Sequence, residues 1–88
     1  MIFNASLIEK LVKAILDKGK EDVDKIDDKE LANHMQREVE MVANEAAIYL
    51  EMAYIAMLEG TDKAMEYFFG AHDGEEYKKY LGGKNETI

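Results

Sequence analysis

Residues 46–58 read AAIYLEMAYIAML, and twelve of these thirteen positions are apolar or aromatic, with Glu51 the only charge. The stretch continues an amphipathic run, DKELANHMQREVEMVANE, and meets its first glycine at Gly60. No proline interrupts the chain, so one long helix over about 28–59 is the simplest reading. The fold class that follows is all-α: a small helical bundle built on that central helix.

At about 100° per residue, Leu31, Met35, Val39, Val42, Ala46, Tyr49, Leu50, Ala53 and Met57 gather on one side, the spacing a core-facing helix needs. Asn33, Arg37, Glu40, Asn44 and Glu51 fall opposite, as a solvated stripe. A third strip, Met41, Ile48, Met52 and Ile55, is edged by Glu45 and Glu59. One neighbouring helix cannot cover so wide an apolar surface, so the third strip is expected to meet a second copy of the chain in a homo-oligomer, a dimer or higher. Thirteen residues with a central glutamate fall short of the roughly 20 a bilayer needs, so no membrane span is expected.

Toward the N-terminus, Ser6-Leu7-Ile8-Glu9 has the form of a capping box. Helix 1 follows with Ile8, Leu11, Val12, Ile15 and Leu16 on one face, and Gly19 is its expected stop. The connector KEDVDKID over 20–27 leads to a second box, Asp27 with Glu30, stapled by Ile26 onto Leu31. Its aspartates do not keep the alternating spacing, glycine and terminal glutamate of a calcium loop. Beyond Gly60, Thr61 or Asp62 caps a third helix from Lys63 to about Phe69, folding back as an antiparallel hairpin on helix 2. Gly70 and Gly74 are expected to break it. Asp73 with Glu76 then starts a last short helix through Leu81, presenting Tyr77, Tyr80 and Leu81. Residues 1–81 form one helical domain in this reading, with a polar tail over 82–88.

Composition narrows the functions. Eighty-eight residues without cysteine must be stabilised by apolar packing, with no disulfide and no thiolate metal site. A formal net charge of −8 disfavours direct contact with nucleic-acid phosphates. The start MIFNASLIEK lacks the form of a secretory signal, so a cytoplasmic location is expected. Catalytic residues are not expected either. Ser6 is the only serine, and His34 and His72 have no partner at general-base spacing. A carboxylate-bridged di-metal site uses Glu-x-x-His pairs, yet Leu31 precedes His34 by three and Phe69 precedes His72 by three. No metal and no cofactor is called for.

Two features carry what functional signal there is. Glu38, Glu40, Glu45, Glu51, Glu59 and Asp62 follow one another with no intervening Lys or Arg. They form an acidic flank suited to a basic protein, for example one whose own groove handles nucleic acid. All five tyrosines, Tyr49, Tyr54, Tyr67, Tyr77 and Tyr80, lie in the C-terminal half beside Met52, Met57 and Met65. That excess suits an adaptable recognition surface or a shallow ligand pocket. The first expectation is a non-catalytic regulator or inhibitor that binds another macromolecule, in the format of accessory proteins of viruses and mobile elements. The alternative is a homo-oligomer that binds or sequesters a small ligand or nucleotide.

Overall fold

The computed structural model describes residues 5–71 and 75–81. Among them the chain forms α1 (Ala5–Val23), α2 (Lys29–Glu59), α3 (Thr61–Ala71) and α4 (Tyr77–Leu81), with no strand. The fold is the all-α bundle the sequence implies, organised on α2. The expected Asp73 cap, the second breaking glycine and the polar tail lie outside the described residues.

The start of α2 is set one residue later than the sequence suggests. Asp28, not Asp27, is the N-cap: its Oδ1 accepts the Leu31 backbone N–H at 3.0 Å. Its own carbonyl accepts from Ala32 at 2.9 Å. The two adjacent aspartates are alike in type, and only the extended backbone at Asp28 (φ −71°, ψ 115°) selects between them. The expected staple is absent as well, since Leu31 is half exposed. Gly60 ends α2 with φ at +98°, a backbone conformation that disfavours any side chain. Its N–H donates to Ala56 O at 3.1 Å, and its carbonyl opens α3 by accepting from Ala64. A one-residue link therefore joins α2 to α3.

Helix α1 already includes Ser6, so that serine is inside the first turn and is not the cap. The helix also runs straight through Gly19 to Val23. Gly19 is a place of close approach, where a Cβ would collide with the Val39 side chain of α2. Gly70 likewise sits inside α3 and does not break it. Past Gly19, ion pairs Lys18–Asp22 and Lys20–Asp24 at 3.3–3.4 Å support the helix, each worth a few tenths of a kcal/mol in such exposed positions.

The main core lies where α1, α2 and α4 meet: Ile8 and Val12 from α1, Ala43 and Ala47 from α2, Tyr77 and Tyr80 from α4. Ile15, Leu16, Leu50 and Leu81 border it. Ala43 and Ala47 let the other two helices come close, which is why small residues rather than large ones mark the packed side of α2. Helix α3 packs on α2 elsewhere and does not touch α1. Its Phe68 ring stacks on Tyr49 with centroids 5.7 Å apart, so α3 folds back along α2 as expected.

Only part of the expected core face of α2 is packed: Val39 lies against Gly19, Leu50 borders the core, and Ala46 and Ala53 are half buried. Leu31, Met35, Val42, Tyr49 and Met57 are exposed. Polar Glu40, Asn44 and Glu51 turn toward α4 instead and are half buried. The molecule is elongated, 46 × 29 × 24 Å with a radius of gyration of 14.5 Å, against about 12 Å for a compact domain of this length.

Candidate binding face on α2

The surroundings of α2 follow from its turn angle. With Leu31 as zero and about 100° per residue, α1 lies near 80–140°, marked by Val39 and Ala43. Helix α4 lies near 160–220°, marked by Ala47, Asn44 and Glu51. The strip at roughly 240–300°, Ile55, Ile48, Met41 and Met52, falls to α3. Three sides are thus taken within one chain. The fourth, from about −40° to 80°, is open, and it holds Leu31, Met35, Val42, Tyr49 and Met57.

This reverses the expected interface. Ile48 is 1% exposed, and Met52 and Ile55 are half buried within the single chain, Ile55 beside Ala5, Ile8 and Tyr80. Only Met41 of that strip is well exposed. Ile48 is a core residue of the single chain and is not free to meet a second copy.

The acidic flank divides in the same way. Glu51 is committed to the interior: its Oε1 accepts from Lys79 Nζ at 2.7 Å, and its side chain is 15% exposed. Glu40 accepts from the Gln36 side chain at 3.1 Å and is half buried. Glu45, Glu59 and Asp62 are exposed and make no ion pair among the described residues. Glu38 lies 3.9 Å from His34 Nε2, a pair only when the imidazole is protonated. Glu38 and Glu45 fall near −20° and −40°, at one edge of the open face, whereas Glu59, near 280°, falls in the sector given to α3.

The tyrosines do not converge on a pocket. Tyr77 and Tyr80 are core residues. Tyr67 donates its hydroxyl to Glu76 at 2.9 Å, and Tyr49 stacks on Phe68 at the edge of the open face. Tyr54 and Tyr80 line a recess of about 270 Å³ with Ala5, Ile8, Glu51, Ile55 and Lys79.

Beside that recess a small network ties three elements together. Lys79 bridges Glu51 at 2.7 Å and Glu76 at 3.5 Å, and its ammonium lies 6.0 Å from the Tyr67 ring and 5.6 Å from the Tyr80 ring. Partial burial acts to lower the Lys79 pKa, but the Glu51 and Glu76 carboxylates outweigh it and raise it. Burial pushes the Tyr67 hydroxyl far above its ordinary range, helped by the bond to Glu76 and the charge of Glu51. Burial is also the first cause of the raised Tyr77 pKa, followed by Glu40. The network clasps α3 and α4 onto α2. Nearby, the Asn44 side chain accepts the Tyr77 backbone N–H at 3.3 Å, fixing the start of α4.

No group of three or more histidine, aspartate or glutamate side chains among the described residues is placed to hold a metal ion. By length and composition α2 is apolar enough to cross a membrane, since one 18-residue window has a mean hydropathy of 1.2; the thirteen-residue count from sequence missed this. Only 17% of that window is buried, which again reflects the open side. Comparison with protein-family models, curated proteins and solved structures finds no match to this chain.

Proposed function

We propose that this chain is a non-catalytic binding protein whose working surface is the open side of α2, and that it regulates or inhibits another macromolecule by occupying it. The observation that carries the reading is the uncovered apolar row itself, Leu31, Met35, Val42, Tyr49 and Met57, each 38–55% exposed. A contiguous apolar surface of this length on a chain with net charge −8 is of the kind that marks interaction sites. Self-association, expected from the sequence through Met41–Ile55, would have to use this face instead. Lipid is a poor occupant: helices that lie on membranes carry Lys and Arg on their polar side, whereas α2 has only Lys29 and Arg37 among its 31 residues and its flank is acidic. A location in the cytoplasm and the absence of a cofactor belong to the same reading.

The test is a paired substitution, Val42→Asp with Leu31→Asp. Both side chains are about half exposed, so folding should change little while binding to any partner is lost. Retained partner binding by a folded double variant would sink the reading.

A further inference from the structure

We infer that the open face of α2 receives a basic amphipathic helix of a partner protein. This rests on the reading that the open face is the working surface, and it names the chemistry of the occupant.

The shape comes first. Helix α2 is flanked on one side by α1 and on the other by α3, and those two do not touch. The α1 flank that meets α4 holds Lys13, Leu16, Asp17 and Lys20. Leu11, 41% exposed, is on the other flank and looks over the open side of α2. From the opposite wall α3 offers Phe69, 70% exposed, its ring 5.6 Å from that of Phe68. The result is a trough with α2 as its floor, walled by α1 and, toward its C-terminal end only, by the 11 residues of α3. Its floor from Leu31 to Met57 is about 39 Å long at 1.5 Å per residue, so a helix of about 25 residues fills it. With about 100 Å² exposed on each of the seven large apolar side chains, the face approaches the roughly 800 Å² per partner of a standard interface.

Charge then selects the occupant. Glu38 and Glu45 stand about 10 Å apart along one margin. A partner helix has the same rise, so Lys or Arg at every seventh position can meet them in step. The opposite margin has no cation to spare, because Lys18 is held by Glu21 and Asp22 at 3.2 and 3.3 Å. A second copy fits less well. A two-fold antiparallel pairing sets the Glu38–Glu45 margin against itself. A parallel one sets it against α1, where Lys18 is already committed. Either brings together two chains of net charge −8.

The probes are two synthetic peptides of about 25 residues with the same leucine face, one flanked by Lys and Arg, the other by Glu. The full chain is titrated with each, and amide shifts locate the contact. The basic peptide should bind along Leu31–Met57, weaken as salt rises, and lose about three- to tenfold in affinity with Glu38→Gln plus Glu45→Gln. Asp17→Asn with Asp24→Asn, the same charge change away from this margin, should leave that affinity within about twofold. Equal binding of both peptides on this face would keep the working surface and overturn the basic partner. Binding of neither, with a dimer at micromolar concentration that Val42→Asp makes monomeric, would give the face to a second copy. Peptide binding untouched by Val42→Asp would overturn the open face itself.

Discussion

Adding one methyl group at Gly19 tests how α1 sits on α2. In the interior of a helix, Gly→Ala ordinarily stabilises by about 0.5–1 kcal/mol, because alanine loses less backbone freedom on folding. Here the new Cβ would overlap Cγ1, Cγ2 and Cβ of Val39, and overpacking of that kind costs about 1–3 kcal/mol. The second effect is the larger, so Gly19→Ala should destabilise the chain by about 0.5–2 kcal/mol. Val39 is half buried, and its own change to Ala removes two methyl groups at a cost of about 1 kcal/mol. In the Val39→Ala background the obstruction is gone and only the helix preference remains. Gly19→Ala should then stabilise, by about 0.5–1 kcal/mol. The two effects differ by about 1–3 kcal/mol of coupling, a size expected only for residues in contact. Urea unfolding of the four proteins, followed by far-ultraviolet circular dichroism, measures it. A Gly19→Ala variant that is stabilised equally in both backgrounds would show that residue 19 does not lie against Val39.

The caps give a second test: Asp28→Ala should cost about 0.5–2 kcal/mol and Asp27→Ala close to nothing, read from the same urea midpoints. Lys79→Met should destabilise by about 1–2 kcal/mol, because it leaves the mostly covered Glu51 carboxylate without its cation; equal stability of Lys79→Met and Lys18→Met would refute the clasp. Tyr67 gives a test in pH. Its folded pKa is raised above the unfolded value, so its contribution is whole below about pH 10 and is lost as pH rises beyond that. Thermal midpoints should fall above pH 10 in the wild type and fall less steeply in Tyr67→Phe.

The order of the helices and the ends of α2 were legible because they depend on local signals, whereas the stop expected at Gly19 and the break expected at Gly70 are overridden by helices that run through them. Gly60 and the Asp27-Asp28 pair frame α2 whatever packs against it. Which side of α2 faces inward was not legible, for a physical reason. Between Ala46 and Leu58 the helix is apolar almost all round, so periodicity points in no single direction. The packed side is marked by Ala43 and Ala47, fully buried, and by Gly19 opposite Val39. Small residues four apart on one helix, with a glycine on the next, are the signal of close helix approach that could have found it. Glu51 misled for a related reason. A lone carboxylate in an apolar run reads as solvated, and its partner Lys79 is 28 residues away. The same rotation of α2 moved the candidate site: Ile48 left the expected interface for the core, while Val42 and Tyr49 left the expected core for the surface.

That exchange explains how two carboxylates of α2 are held on its covered side, Glu51 by Lys79 and Glu40 by Gln36. On the open side, a charge in the middle of the row would weaken an apolar contact, so the carboxylates of Glu38 and Glu45 are placed at its edge. An exposed apolar face with charges only at its rim has the anatomy of an interface half. If the face served solubility alone, Val42→Lys and Met35→Lys would be as acceptable as the native residues. They should instead leave the urea midpoint almost unchanged, since exposed positions contribute within about 0.5 kcal/mol, while removing the salt-sensitive binding of the basic peptide. A double lysine variant that is folded and still binds would mean that the open row is an accident of composition.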